Sequence, residues 1–148
     1  MPGEIRFYST ADAYGEFSNF ARFPIRIGGE TWPTSEHFFQ AQKFKDSAVR
    51  ARLRKAKTPM IVARMGRDRS LPLRRDWESV KVDVMRKAVR AKFTQHDELR
   101  ALLLSTGDAK LVEHTTNDAY WGDGGDGSGK NMLGRILMEV RESIRSEG

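Results

Sequence analysis

The sequence predicts an α+β fold: a predominantly helical single domain over residues 1–148 with a small antiparallel sheet. Three observations carry this. Apolar residues alternate with polar ones in two short N-terminal stretches, the spacing turns helical from Thr34 onward, and the C-terminal segment carries an unbroken amphipathic stripe. A chain of 148 residues can bury a sufficient core without disulfides or a structural metal. No internal repeat and no Pro- or Ser-rich linker marks a second domain.

Ile5 and Phe7 suit a first strand, and Ile25 and Ile27 a second. Gly28-Gly29, between RI and ETW, reads as the turn of a hairpin. Pro33 then precedes a Thr34 cap with Glu36 in the first turn, where the helix dipole favours a carboxylate; this helix is expected to run to about Ser47. Further helices are predicted over 47–56, over 59–66 with Pro59 in the first turn, over 77–93, and over 96–105 ending at Thr106-Gly107. Trp77, Val80, Val84, Met85 and Ala88 fit the packing face of the long one. Leu111-Val112 is a short strand. In the last helix Leu133, Ile136, Leu137, Val140 and Ile144 share one face, while Arg135, Glu139, Arg141, Glu142 and Arg145 cover the other.

Composition excludes several function classes. Without cysteine there is no disulfide, no thiolate zinc site and no cysteine nucleophile. His37, His96 and His114 lack a metal-ligand spacing, so no metal and no cofactor is expected. The N-terminus has no charged-then-apolar signal pattern, and no apolar run approaches a membrane span; the expectation is a cytoplasmic protein without a membrane partner. No pattern fixes an oligomeric state. Residues 43–75 hold twelve Lys and Arg against Asp46 and Asp68, a local charge of +10 in a chain of +6. Such a block can face nucleic acid or a phosphorylated small molecule, but it has no interleaved aromatics for base stacking, and a solvated helix face is the simpler reading.

The most unusual segment is WGDGGDGSGKNMLG at 121–134, where glycines and a lysine run into the last helix. Gly124, Gly129 and Lys130 satisfy G-x-x-x-x-G-K, yet Asn131 stands where a nucleotide-binding P-loop needs Ser or Thr, and NDAYW ahead of it is no buried strand. A P-loop is rejected. What remains is either a run of amides and a lysine before a helix, able to hold an anionic group, or a flexible surface loop.

Two other clusters can carry chemistry. Glu36, Gln40 and Lys43 fall at i, i+4 and i+7, a polar stripe flanked by Phe38, Phe39 and Phe44. The spacing alone fits an ordinary solvated stripe; the sharper reading has Trp32 and the phenylalanines walling a pocket around a desolvated Glu36. In GEFSNF (15–20), Asn19 beside Phe20 can orient a sugar hydroxyl or cap a turn. Tyr120-Trp121 can stack on a heteroaromatic ring or serve the core.

Three blocks, YGEFSNF (14–20), WPTSEHFFQAQKF (32–44) and DAYWGDGGDGSGKNMLG (118–134), resemble the signature of the YbiA-like or NADAR family. RMGRDRSLPLRRDWESVK and MRKAVRAKF are similar to its bacterial YbiA branch, so the resemblance spans nearly the whole chain. It implies the YbiA-like fold and an N-glycosidase acting on phosphorylated ribosyl N-glycosides, such as phosphoribosylamino-pyrimidine intermediates of riboflavin synthesis. It also implies an alternative, removal of ADP-ribose from guanine in nucleic acid; a non-catalytic ADP-ribose or nucleic-acid binding module is the alternative of another class.

Carried onto this chain, the resemblance makes Glu36 the catalytic carboxylate and Lys43 its partner, which keeps Glu36 ionised, contacts substrate, or forms a Schiff base with an opened ribose. It makes Asn19, Phe20 and Gln40 contacts to the ribose side, and Trp32 or Trp121 the stacking surface for the base. Gly127 to Gly129 with Lys130 would hold the phosphate. Asp118, Gly122, Asp123 and Asn131 would supply hydrogen bonds or loop rigidity, and Asp126 is an acid that weakens phosphate affinity.

Overall fold

Among residues 3–147, which the computed structural model describes, the chain orders as β1 (Glu4–Phe7), β2 (Ile25–Ile27), β3 (Glu30–Trp32), α1 (Ser35–Ala41), α2 (Ser47–Arg54), α3 (Pro59–Gly66), α4 (Trp77–Gln95), α5 (Asp97–Ser105), β4 (Lys110–Glu113) and α6 (Met132–Glu147). A short 3-10 turn, Gly15–Phe17, follows β1. None of these helices is long and apolar enough to cross a membrane. The chain forms two units: one joins the segment up to Ala21 to the segment from Phe93 on, and the other is Arg22–Lys92.

In the Arg22–Lys92 unit, β2 and β3 form the expected antiparallel hairpin, Ile25 opposite Trp32, and Gly28 and Gly29 turn it with φ of 64° and 80°. Two positive φ values in a row are what a two-residue hairpin turn needs to match strand twist. Ile25, Trp32, Phe38, Ala41, Phe44, Leu53, Val62 and Ala88 form one buried cluster. The cap of α1 is as predicted: Thr34 Oγ1 accepts from His37 N at 3.1 Å. Thr58 caps α3 in the same way through Ile61 N, with Pro59 in the first turn.

Helix α1 ends at Ala41 rather than near Ser47. The competing signal is Asp46, whose carboxylate accepts from Ala48 N and Val49 N and so starts α2. One residue cannot sit inside a helix and cap the next. Between them the chain tightens, with Lys43 N on Gln40 O and Phe44 N on Ala41 O, and Phe44 bridges to Leu73. Arg74 secures this exit, its amide donating to Lys43 O at 2.8 Å.

In the other unit, β1 and β4 pair in parallel, Glu4 opposite Lys110 and Phe7 opposite Glu113. The small antiparallel sheet expected from the sequence is the β2–β3 hairpin; this parallel pair adds to it. Helix α6 packs its predicted face on β4, burying Leu133, Ile136, Leu137, Val140 and Ile144 with Phe7, Phe17, Phe93, Leu99, Leu103 and Leu111. Arg141, predicted to be on the solvent face, is buried instead. Its Nη1 donates to Thr106 Oγ1 at 2.9 Å and Ala109 O at 2.8 Å, closing the turn after α5. A guanidinium can be buried on such terms because its charge stays hydrogen-bonded.

Candidate active site

The Arg22–Lys92 unit brings Glu36, Gln40 and Lys43 together. Glu36 is only 8% exposed and Gln40 6%, so this face of α1 is not a solvated stripe. Gln40 Nε2 donates to Glu36 Oε2 at 2.8 Å. Lys43 lies just past the helix end, and its Nζ donates to Gly66 O at 3.3 Å. Burial lowers the Lys43 pKa and the Glu36 charge opposes that; Arg67 and Lys81 act with burial, Glu78 against it. The arrangement is a desolvated carboxylate beside an amine whose proton is easier to lose than that of a surface lysine.

His37, read from the sequence as one of three scattered histidines, pins the helix that carries Glu36. It is fully buried, with Nε2 2.9 Å from Ala56 O and Nδ1 2.8 Å from Thr34 Oγ1. A carbonyl only accepts, so Nε2 carries the proton and Nδ1 accepts from the Thr34 hydroxyl. Burial lowers the His37 pKa from 6.5; the Ala56 carbonyl opposes this and Arg22 reinforces it. A histidine with a depressed folded pKa gives stability that is in place above its unfolded value and lost as pH falls through the folded one. The melting temperature is therefore expected to fall as pH drops below about 6.5. In His37→Gln that decline should be shallower, and an unchanged slope would assign it to other groups.

Trp32 sits largely in the core. It is 4% exposed, meets Phe38 edge-on at 5.4 Å and belongs to the buried cluster. Its indole nitrogen is buried without a hydrogen-bond partner. Phe38 and Phe44 share that cluster, and Phe39 packs on Trp77 at 5.1 Å. Phe38, Phe39 and Phe44 back α1, while Trp32 also borders a cavity lined by Arg26, Thr31, Arg50 and Arg54.

In the other unit, Asn19 is buried and Phe20 half-buried, in a turn closed by Phe20 N on Ser18 Oγ at 3.1 Å. The glycine segment is an internally bonded knot. Asp118 Oδ1 accepts from Tyr120 N and Trp121 N, and Asp123 Oδ1 from Thr115 N and Gly125 N. Asp123 Oδ2 pairs with His114 Nδ1 at 2.7 Å. Burial alone would raise the Asp123 pKa, but the bonds from His114 and from the Gly125 and Thr115 amides bring it down to about 2.

Of the amides expected to form the clamp, Gly127 to Gly129, two are engaged within the loop: Ser128 N donates to Asp126 Oδ1 and Gly129 N to Asp123 O, and the neighbouring Lys130 N donates to Ala119 O. Gly129 has no room for a side chain, since a Cβ would lie 2.6 Å from Gly122 O, and a Cβ at Gly122 would lie 2.8 Å from Thr115 Cγ2 and 2.9 Å from Glu113 O. Asp126 serves the turn through Ser128 N and Oγ. Asn131, at φ 52°, spends its carboxamide on β4: Oδ1 accepts from Glu113 N at 3.0 Å and Nδ2 donates to Leu111 O at 2.9 Å. What the segment presents is the exposed Lys130, with Nζ 5.6 Å from the Tyr120 ring centre, the exposed Gly127, and the half-buried pair Tyr120 and Trp121.

Comparison with known proteins gives a consistent answer. The model of the NADAR domain matches residues 6–145. The chain is 68% identical over 143 residues to "N-glycosidase YbiA" of Escherichia coli strain K12, covering 97% of this chain and 89% of that one. It is 44% identical to a riboflavin biosynthesis protein of Vibrio vulnificus, covering 98% of this chain and 40% of that longer one. The NMR structure of the Escherichia coli protein YbiA superposes with a TM-score of 0.92 at 66% identity, over 99% of this chain and 88% of that one.

Proposed function

The chain belongs to the NADAR domain family, and from that premise we propose that it is an N-glycosidase, a hydrolase of the bond between a ribose anomeric carbon and a base-side nitrogen. Its substrates are phosphorylated ribosyl N-glycosides, phosphoribosylamino-pyrimidine intermediates of riboflavin synthesis first among them. The relatives named as N-glycosidase and as riboflavin biosynthesis proteins support this choice. The observation that carries the chemistry is the buried Glu36 carboxylate, held by Gln40 and lying within the electrostatic reach of Lys43.

Breaking the N-glycosidic bond develops positive charge on the anomeric carbon and ring oxygen. A carboxylate in a dry setting stabilises that charge far more than one in water, and it can take a proton from the attacking water. Glu36 fills this role. Gln40 fixes its orientation by donating to one oxygen, and the Lys43 ammonium favours its ionised form and supplies a cationic contact to substrate. Water adds at the anomeric carbon, the carbon–nitrogen bond breaks, and the leaving nitrogen takes the proton.

One observation favours a second reading, ADP-ribosylated guanine in nucleic acid: Lys45, Arg52, Lys55, Lys57, Arg64, Arg67, Arg69 and Arg75 are all exposed. Assaying both substrates side by side tests the choice. A higher kcat/KM on the phosphoribosylamino-pyrimidine is expected, and the reverse ranking would transfer the assignment to nucleic acid.

A further inference from the structure

Gly66, the last residue of α3, is a glycine without a backbone reason to be one. Its φ is not in the left-handed region that favours glycine, and alanine is the better helix former. The reason is space. A Cβ built there would lie 1.9 Å from Gln40 Oε1, 2.7 Å from its Cδ and 3.2 Å from its Cβ. The Gln40 carboxamide occupies that volume, with Nε2 on Glu36 Oε2 at 2.8 Å. Its Oε1 is buried with no hydrogen-bond partner. This orientation follows from charge: a carboxylate accepts only, so the amide must present nitrogen to Glu36, which leaves its oxygen against Gly66. The same residue uses its carbonyl on Lys43 Nζ at 3.3 Å.

We propose that Gly66 is a positioning residue for catalysis: its missing side chain seats the Gln40 carboxamide against Glu36, and its carbonyl holds Lys43. This rests on the reading of Glu36 as the catalytic carboxylate. A methyl group at position 66 displaces Gln40 and takes the N–H donor away from Glu36. Losing a donor to the carboxylate favours its protonated form, so the acidic limb of the kcat profile moves to higher pH.

The test is a double-mutant cycle of Gly66→Ala and Gln40→Ala, with circular dichroism and melting temperature recorded for each variant. Gly66→Ala alone should lower kcat at least tenfold and shift the acidic limb upward. In the Gln40→Ala background, where Oε1 and Cδ are gone and only the position-40 Cβ at 3.2 Å remains, Gly66→Ala should change kcat less than twofold and raise the melting temperature. Equal losses in both backgrounds, or an unmoved pH profile in Gly66→Ala, would overturn the proposal. Glu36→Gln run in parallel separates the two levels. If it stops turnover while the cycle is additive, only the Gly66 role fails; if it retains turnover, the reading of the site fails and Gly66 with it.

Discussion

Glu36→Gln is expected to cut turnover about a thousandfold while leaving substrate Kd within about threefold of the wild type's. The change is isosteric and removes one charge. The new carboxamide oxygen still accepts from Gln40 Nε2, so the contact of 2.8 Å survives and the fold with it. What is lost is the electrostatic stabilisation of a cationic transition state and the capacity to take a proton from water. Rapid-quench kinetics and calorimetric titration on the same variant separate the two effects. A variant that turns over at the wild-type rate would remove Glu36 from the chemistry. A wild-type protein that binds substrate without turning it over would instead mark a binding module.

Asn131→Ala is expected to destabilise the fold by about 3 kcal/mol, which lowers the melting temperature by roughly 10 °C for a chain of this size. Two β4 backbone groups, the part-buried Glu113 N and the buried Leu111 O, lose the Asn131 carboxamide at once. Alanine at φ 52° adds left-handed strain, which asparagine tolerates better. Asn131→Gly should recover only the conformational part. Differential scanning calorimetry measures both. Unchanged stability with a raised Michaelis constant would return Asn131 to the role of ligand contact that its place beside Lys130 implies.

The contrast between these two residues shows what the sequence carries and what it does not. Caps are local, so the Thr34 cap and Pro59 in the first turn of α3 were legible, as was the α6 stripe; the Thr58 cap that precedes Pro59 was not. The end of α1 was not, because Thr34 and Asp46 both start helices, and only the fold shows the first one stopping at Ala41 before the Phe44–Leu73 β-bridge. Parallel pairing of Glu4 with Lys110 joins segments far apart in sequence, and no local pattern encodes it. Trp32 alternates correctly for a strand, but alternation does not say whether the face it lines meets ligand or core.

The candidate cluster on α1 was legible in its spacing, and the glycine segment less so. Glu36, Gln40 and Lys43 share a helical spacing, and the structure does bring them together. The glycine segment looked like an anion cradle because its amides are dense. The acceptors that take the Ser128, Gly129 and Lys130 amides, the Asp126 carboxylate, Asp123 O and Ala119 O, are close in sequence, yet only the folded turn shows that they face those amides. Gly66 left no signal at all. A glycine kept for the side chain of another helix has no signature in its own neighbourhood.

Hydrolysis at the anomeric carbon under the control of Glu36 is the central claim, and one measurement addresses it directly. The purified protein is incubated with a phosphoribosylamino-pyrimidine in water enriched in oxygen-18, and the products are read by mass spectrometry beside those of Glu36→Gln. Ribose 5-phosphate carrying one labelled oxygen, together with an unlabelled free aminopyrimidine, is expected from the wild type and not from the variant. Intact substrate, label in the pyrimidine, or equal product from both proteins would contradict it.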